Sequence, residues 1–149
     1  MIYIKLATED DMERILEIER EAISPPWSHG ALLGEIYCGD SFFALAVGGG
    51  AILGFAILRR AAGECELLQI AVSSASRRLG AADALMAAAI RWSKENALGS
   101  IYLEVRRSNE AAAALYKKHG FKQVSTRKAY YDAPVEDAAI MRKDLTEAK

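Results

Sequence analysis

The stretch E-C-E-L-L-Q-I-A-V-S-S-A-S-R-R-L-G-A-A-D, residues 64 to 83, decides the fold of this chain. Leu67 to Val72, interrupted only by Gln69, is an apolar run of strand length, followed by a small polar turn and two arginines. From Ala82 the spacing turns helical, with Leu85, Met86, Ala89, Ile90 and Ser93 on or near one face. The turn therefore delivers the chain from a strand into a helix N-terminus. Such an end collects anions, because its first backbone N–H groups lack partners within the helix and the aligned peptide dipoles leave partial positive charge there. Gly80 and Ala82 leave room for a bulky phosphate, while Arg77 and Arg78 add charge and forked donors.

Outward from that stretch, the helix is expected from about Leu79 to Asn96. Gly99 ends its periodicity, and Ile101-Tyr102-Leu103-Glu104-Val105 makes the next strand. Two strands joined by such a helix should be parallel neighbours with a right-handed crossover, and ligands in such units sit at the strands' carboxyl ends. Upstream, Phe42 to Val47 and Ile52 to Leu58 flank Gly48-Gly49-Gly50 and predict an antiparallel hairpin, and Ala61-Ala62-Gly63 turns the chain into the central strand.

Nearer the start, Ile2 to Leu6 reads as a strand and Thr8 with Asp11 as a capping box. Met12, Ile15, Leu16, Ile18 and Ala22 form the apolar face of a helix running to about Ile23. Ser24-Pro25-Pro26 ends it, and Ser28 caps a short helix through Leu32, Leu33 and Ile36. Trp27 is either a core or hinge aromatic or the wall of a substrate groove. Downstream, Asn109 begins a helix closed by Gly120. Phe121 to Thr126 and Ala138 to Met141 are expected as the last strands, joined by a loop holding Tyr130, Tyr131, Pro134, Glu136 and Asp137.

At 149 residues the chain is expected to form one domain, 1–149, with a core large enough to fold without staples. Apolar residues at 52% and charged residues at 26% argue against disorder. A net charge of −1 offers no global attraction to nucleic acid, so any phosphate site is local. Cys38 and Cys65 have neither metal-ligand spacing nor companions for a disulfide framework and read as reduced thiols, and His29 and His119 match no zinc arrangement. No signal sequence, myristoylation glycine or membrane-length apolar run is present, so neither a membrane nor nucleic acid is expected as a partner and the cytoplasm is the default location.

Arg77-x-x-Gly80-x-Ala82, after a strand ending Ile70-Ala71-Val72, resembles the Q/R-x-x-G-x-G/A acetyl-CoA loop of the GNAT acetyltransferases. Taken alone, the same residues also suit an ordinary strand–turn–helix with a solvated arginine pair. The string L-E-V-R-R-S-N-E-A-A-A-A-L-Y-K-K-H-G-F, residues 103 to 121, resembles the strand–helix–turn of the RimI-type branch, the N-terminal alanine acetyltransferases acting on a ribosomal protein. The likeness extends to I-A-V at 70 to 72, P-W-S at 26 to 28, and a tail with Arg127, Tyr130-Tyr131 and E-D-A at 136 to 138. Ala82 stands where glycine is commoner, the turn lacks its usual proline, and Gln69 replaces a frequent asparagine, which bears on substrate recognition.

That resemblance implies an α/β (α+β) acyltransferase fold, a mixed, mostly antiparallel sheet flanked by helices with a splayed parallel strand pair. It implies acetyl-CoA as cosubstrate, held by Ile70, Ala71, Val72, Arg77, Arg78, Leu79, Gly80, Ala81, Ala82, Asp83 and Asn109. It implies Glu104 as general base, directly or through water, and Tyr116 as general acid toward the departing sulfur. The implied acceptor is the N-terminus of a small-subunit ribosomal protein. Its chemistry suits a modest base: an α-amine of pKa about 7.7–8.0 is roughly one-tenth neutral at pH 7, whereas lysine at about 10.4 is far less so. A main-chain N–H near Val72 would serve the thioester carbonyl.

Each residue also has a plainer reading. Glu104 would be a structural carboxylate beside a cation, Tyr116 a core aromatic and Asn109 a helix cap. Glu136-Asp137 would be a solvated acidic turn rather than a grip on a basic or free amino end. At the level of function the rivals are another protein N-terminus, a lysine or a small amine as acceptor, a non-catalytic CoA-binding module, and an unrelated phosphate-binding α/β protein. The last lacks the lysine and glycine-rich length of a P-loop.

Overall fold

Along the central strands, apolar residues alternate between two faces, and that alternation sorts the molecule into layers on either side of one sheet. The computed structural model describes residues 1–146; residues 147–149, the end of the domain expected over 1–149, lie outside the described residues. The strands are β1 (Ile2–Leu6), β2 (Ser41–Gly48), β3 (Ala51–Ala61), β4 (Glu64–Val72), β5 (Ser100–Arg106), β6 (Lys122–Tyr131) and β7 (Glu136–Asp144). The helices are α1 (Met12–Ala22), α2 (His29–Tyr37), α3 (Ala81–Glu95) and α4 (Glu110–Lys118). The seven strands form one sheet, ordered β1-β2-β3-β4-β5-β7-β6, antiparallel everywhere except between β4 and β5.

Large side chains from the sheet, Phe43, Leu45, Val47, Phe55 and Ile57, meet Met12, Ile15 and Ile18 of α1 and Leu32 of α2. On the other face Ala44, Ala46 and Ala56 lie under α3, whose own contact face includes Ala81, Leu85, Met86 and Ala89. Methyl groups on both sides let this helix settle close to the sheet, which fixes where its N-terminus ends up. Local signals act as expected. Thr8 N donates to Asp11 Oδ2 at 2.9 Å, and Ser28 Oγ accepts from Ala31 N at 3.1 Å. Gly49 (φ 59°) with Gly50 (φ 77°) closes the β2–β3 hairpin as a two-residue turn.

Two expectations need correcting. The helix of the central unit begins at Ala81, not Leu79, because Gly80 holds φ 89° and acts as its N-cap. The last two strands are longer than their apolar runs: Tyr130 and Tyr131 belong to β6, Glu136 and Asp137 to β7, leaving only residues 132–135 as the connection. An irregularity between Arg127 and Tyr131 interrupts the pairing, with Ala129 at φ 50° and its N–H held by Asp137 Oδ1 at 2.9 Å; pairing resumes at Tyr131↔Glu136. Strand character there comes from partners across the ladder rather than from an apolar run.

Gly54 of β3 sits against the end of β4, where a Cβ would lie 2.5 Å from the Ala71 carbonyl and 3.0 Å from Val72 Cα. Backbone atoms cannot swing aside, so Gly54→Ala should lower stability by about 1–3 kcal/mol in thermal or urea unfolding. Gly34, inside α2, has nothing within 4 Å of that position. Gly34→Ala should raise stability by roughly 0.5–1 kcal/mol through helix entropy.

Candidate active site

β4 and β5 are paired only at Cys65↔Ile101 and Glu66↔Tyr102. Beyond that point β4 stays on β3, as far as Gly54↔Val72, while β5 follows β7. The two strands part, as the resemblance implied. Ser73 N donates to the Leu53 carbonyl at 2.9 Å and Ala71 lies opposite Phe55, so the N–H groups of Ala71 and Ser73 face β3. By strand alternation those of Ile70 and Val72 face the open side, where β5 has turned away.

The β4–α3 turn is tightened by Ser73 Oγ donating to Ser76 Oγ at 2.8 Å, both residues buried. Arg77, Arg78 and Leu79 are exposed, and neither arginine has an ion pair among the described residues. Gly80 has open space where a side chain would stand; Ala81 is buried, and Ala82 and Asp83 are half-buried. Free main-chain donors along β4, an accessible helix N-terminus and two free guanidinium groups fit a long ligand carrying phosphates.

Two expected ligand-facing side chains have partners within the protein. Asp83 meets His119 Nε2 at 2.8 Å and Lys118 Nζ at 3.0 Å, tying the start of α3 to the end of α4. His119, then Lys118, hold its carboxyl below the usual range, so what Asp83 leaves for a ligand is its backbone. Asn109 Oδ1 accepts from Ala112 N at 3.1 Å, which is the helix-cap arrangement. Tyr116, seven residues on, is 7% exposed and packs its ring against Phe121 at 5.9 Å. Burial pushes its phenol up to about 12, with Tyr131 adding to the effect.

Glu104 lies on the face of β5 opposite Leu103 and Val105, half-buried, with Oε1 3.5 Å from Arg127 Nη1. The Arg127 guanidinium stands over the Tyr130 ring at 5.3 Å, and Tyr130 packs edge-on against Tyr131 at 5.1 Å. A hydrogen bond to the Glu104 carboxylate, then its charge, raises the Tyr130 phenol. A cleft of ≈ 520 Å³ opens here, with Arg59, Glu66, Tyr102, Glu104 and Arg127 on its walls. Burial and then the Glu104 charge raise the Glu66 carboxyl, against the pull of Arg59 and Arg127. The site thus sets the Glu104 carboxylate beside the open edge of β4, while the Tyr116 phenol lies buried on α4.

Glu66 escaped the sequence reading, although the alternation E-C-E at 64 to 66 signals one uncovered face at the start of β4. Arg127 was singled out only as part of a matching tail; its contact with Glu104 reaches from β6 to β5 across β7. Glu136 and Asp137 are half-buried and have partners within the protein. Glu136 takes Ser108 N at 2.6 Å and Arg106 at 3.4 Å, and Asp137 takes Ala129 N and Arg107.

Residues 12–121 match the Acetyltransferase (GNAT) family. The chain is similar to the ribosomal protein bS18-alanine N-acetyltransferase of Haemophilus ducreyi, at 36% identity over 142 residues, covering 93% of this chain and 97% of that protein. It is also similar to the N-alpha-acetyltransferase RimI of Mycobacterium tuberculosis, at 31% identity and covering 96% of this chain and 92% of that one. Among solved structures, the ribosomal-protein-S18-alanine N-acetyltransferase from Escherichia coli matches with a TM-score of 0.91 and 30% identity, covering 100% of this chain and 97% of its own. With its parallel pair parted beside a phosphate-ready turn and likeness along nearly its whole length, the chain belongs to the acetyltransferase (GNAT) family, whose acyl donor is acetyl-CoA.

Proposed function

We propose that this chain, as one domain over 1–149, transfers acetyl to the N-terminal alanine amine of a small-subunit ribosomal protein in the cytoplasm. The observation that carries this reading is the half-buried Glu104 carboxylate on β5 facing the cleft beside the parted edge of β4. The relatives from Haemophilus ducreyi and Escherichia coli are named for that acceptor. No helix among the described residues is long and apolar enough to cross a membrane.

Acetyl-CoA supplies an acyl group activated as a thioester. In this reading the exposed Arg77, Arg78 and Leu79, Gly80 and the first turn of α3 through Ala81, Ala82 and Asp83 hold its phosphates by charge and main-chain N–H groups. Ile70, Ala71 and Val72 receive its arm along their edge of the sheet, and Asn109 borders it from α4. The Val72 N–H points where a carbonyl oxygen can accept from it. Glu104 takes the proton that the α-amine sheds as nitrogen bonds to the acyl carbon, and Arg127 keeps the carboxylate oriented. Tyr116 offers its proton to the sulfur that leaves. Being held neutral up to about 12, the phenol keeps that proton at every physiological pH.

A peptide beginning Ala-Arg should be acetylated on its α-amine, while the same peptide with that amine blocked and an internal lysine free should not react, as read by mass spectrometry. Glu104→Gln should lower kcat/KM by about 10²–10⁴, the usual worth of a general base. Tyr116→Phe keeps the buried ring and should lower it by about 10² or more. The pH profile provides a further check. kcat/KM should rise through the acceptor amine, near pH 8, and hold level past pH 10, because a raised phenol pKa delays proton loss. A falling limb below pH 10 that disappears in Tyr116→Phe would show the phenol losing its proton earlier than its burial requires, and would contradict the raised pKa.

A further inference from the structure

The most deeply buried charged group lies behind the acceptor side of the sheet. Glu19, in the last turn of α1, has no exposed surface, and Gln69 of β4 is 7% exposed. Glu19 Oε2 accepts from two donors, the backbone N–H of Trp27 at 2.8 Å and Gln69 Nε2 at 3.0 Å. One carboxylate oxygen thus joins three pieces of chain: α1, the Pro25-Pro26-Trp27 loop and the strand whose far edge faces the cofactor. Neither Glu19 Oε1 nor Gln69 Oε1 has a donor among the described residues, and both are shut off from solvent. Turning the Gln69 amide over would set its carbonyl against the carboxylate and leave a buried N–H without an acceptor.

A carboxylate among Ile15, Ile18 and Ala71 is stable only when its oxygens are filled, since each buried polar atom without a partner costs about 1–3 kcal/mol. A water molecule is the small donor that supplies two O–H groups inside a closed space. We propose that Glu19 and Gln69, completed by an internal water on their Oε1 atoms, form a polar tie that sets the Trp27 loop at a fixed distance from β4, making both positioning residues for the acceptor. Trp27 packs half-exposed on the α1 side, and Gln69 stands two residues before Ala71 on that same face of β4. Slack in the tie moves the acceptor wall.

This inference rests on the acetyl-transfer reading, and its test keeps the two apart. Glu19→Met and Gln69→Met keep roughly the same size while removing the hydrogen bonds of the tie. Each should raise KM for the Ala-Arg peptide by about tenfold, with kcat and KM for acetyl-CoA changing no more than about twofold. Thermal unfolding identifies which variants remain folded, and either one suffices. The exchanged pair Glu19→Gln/Gln69→Glu retains an acceptor for Trp27 N and a donor–acceptor contact between the two side chains, so peptide KM should return to within about threefold of the parent. A purely structural role predicts instead that both KM values drift together with lost stability. A crystal structure should show ordered water at Glu19 Oε1 and Gln69 Oε1; oxygens buried there without it would refute that part of the tie. If the parent chain acetylates the peptide and both folded single variants match it, this inference fails alone. If the parent leaves the peptide untouched, the acceptor reading falls and takes this inference with it.

Discussion

Main-chain hydrogen bonding is obligatory, and at the centre of this sheet it is left incomplete. β4 and β5 share two residue pairs and then part, so the outward N–H groups of Ile70 and Val72 face a gap instead of a strand. The surrounding architecture keeps that gap open. β3 grips β4 closely enough at Gly54 to exclude even a methyl group, and β7 pairs with β5 along its whole length from Ser100 to Arg106. α3 rests on alanines and brings its N-terminus to the mouth of the gap, beside Gly80 and two arginines that have no ion pair among the described residues. A ligand with a peptide-like arm and a phosphate end answers both halves of this demand.

The opposite face of the same strands has a different character. Three carboxylates, Glu64, Glu66 and Glu104, share its cleft with Arg59 and Arg127, but Arg59 is already paired with Glu35. Glu104 therefore has as partners the exposed Arg127 guanidinium, which stands over the Tyr130 ring, and the Tyr130 phenol itself. Net charge near zero conceals this separation, with a cationic turn at one end of the parted strands and an acid-rich cleft beside them. A cation arriving as an amine and an anion arriving as a phosphate ester meet different faces of one sheet.

Much of this was legible before any coordinates. The strand–turn–helix at 64 to 83, the Thr8 and Ser28 caps and the glycine hairpin follow from local steric and hydrogen-bonding rules, and they formed as those rules require. What stayed hidden involves partners distant in sequence. Glu19 follows Ile15 by four residues and so falls on the buried stripe of its helix, yet it reads as one of several surface glutamates until Gln69, fifty positions away, is set beside it. The last hairpin misled for a related reason: strand length there is dictated by ladder partners, and Arg127 to Tyr131 carry no apolar alternation. Asp83 shows the converse, since its position in the first turn of a helix pointed to a ligand while its carboxylate was answering Lys118 and His119 on α4.

The two-pair seam between β4 and β5 has an evolutionary side as well. In the proposed reading the edge of β4 and the turn into α3 carry most of the donor grip, whereas β5, β6 and α4 carry Glu104, Tyr116 and the paired tyrosines. The two sets meet at a ladder of only two residue pairs and across a shared apolar core that includes Leu67, Leu85, Leu103 and Met141. The donor is one unvarying molecule in every cell, while acceptors differ from protein to protein. With the hold on coenzyme confined to one strand edge and one turn, the Trp27 loop and the β5–β7 side are free to differ around it.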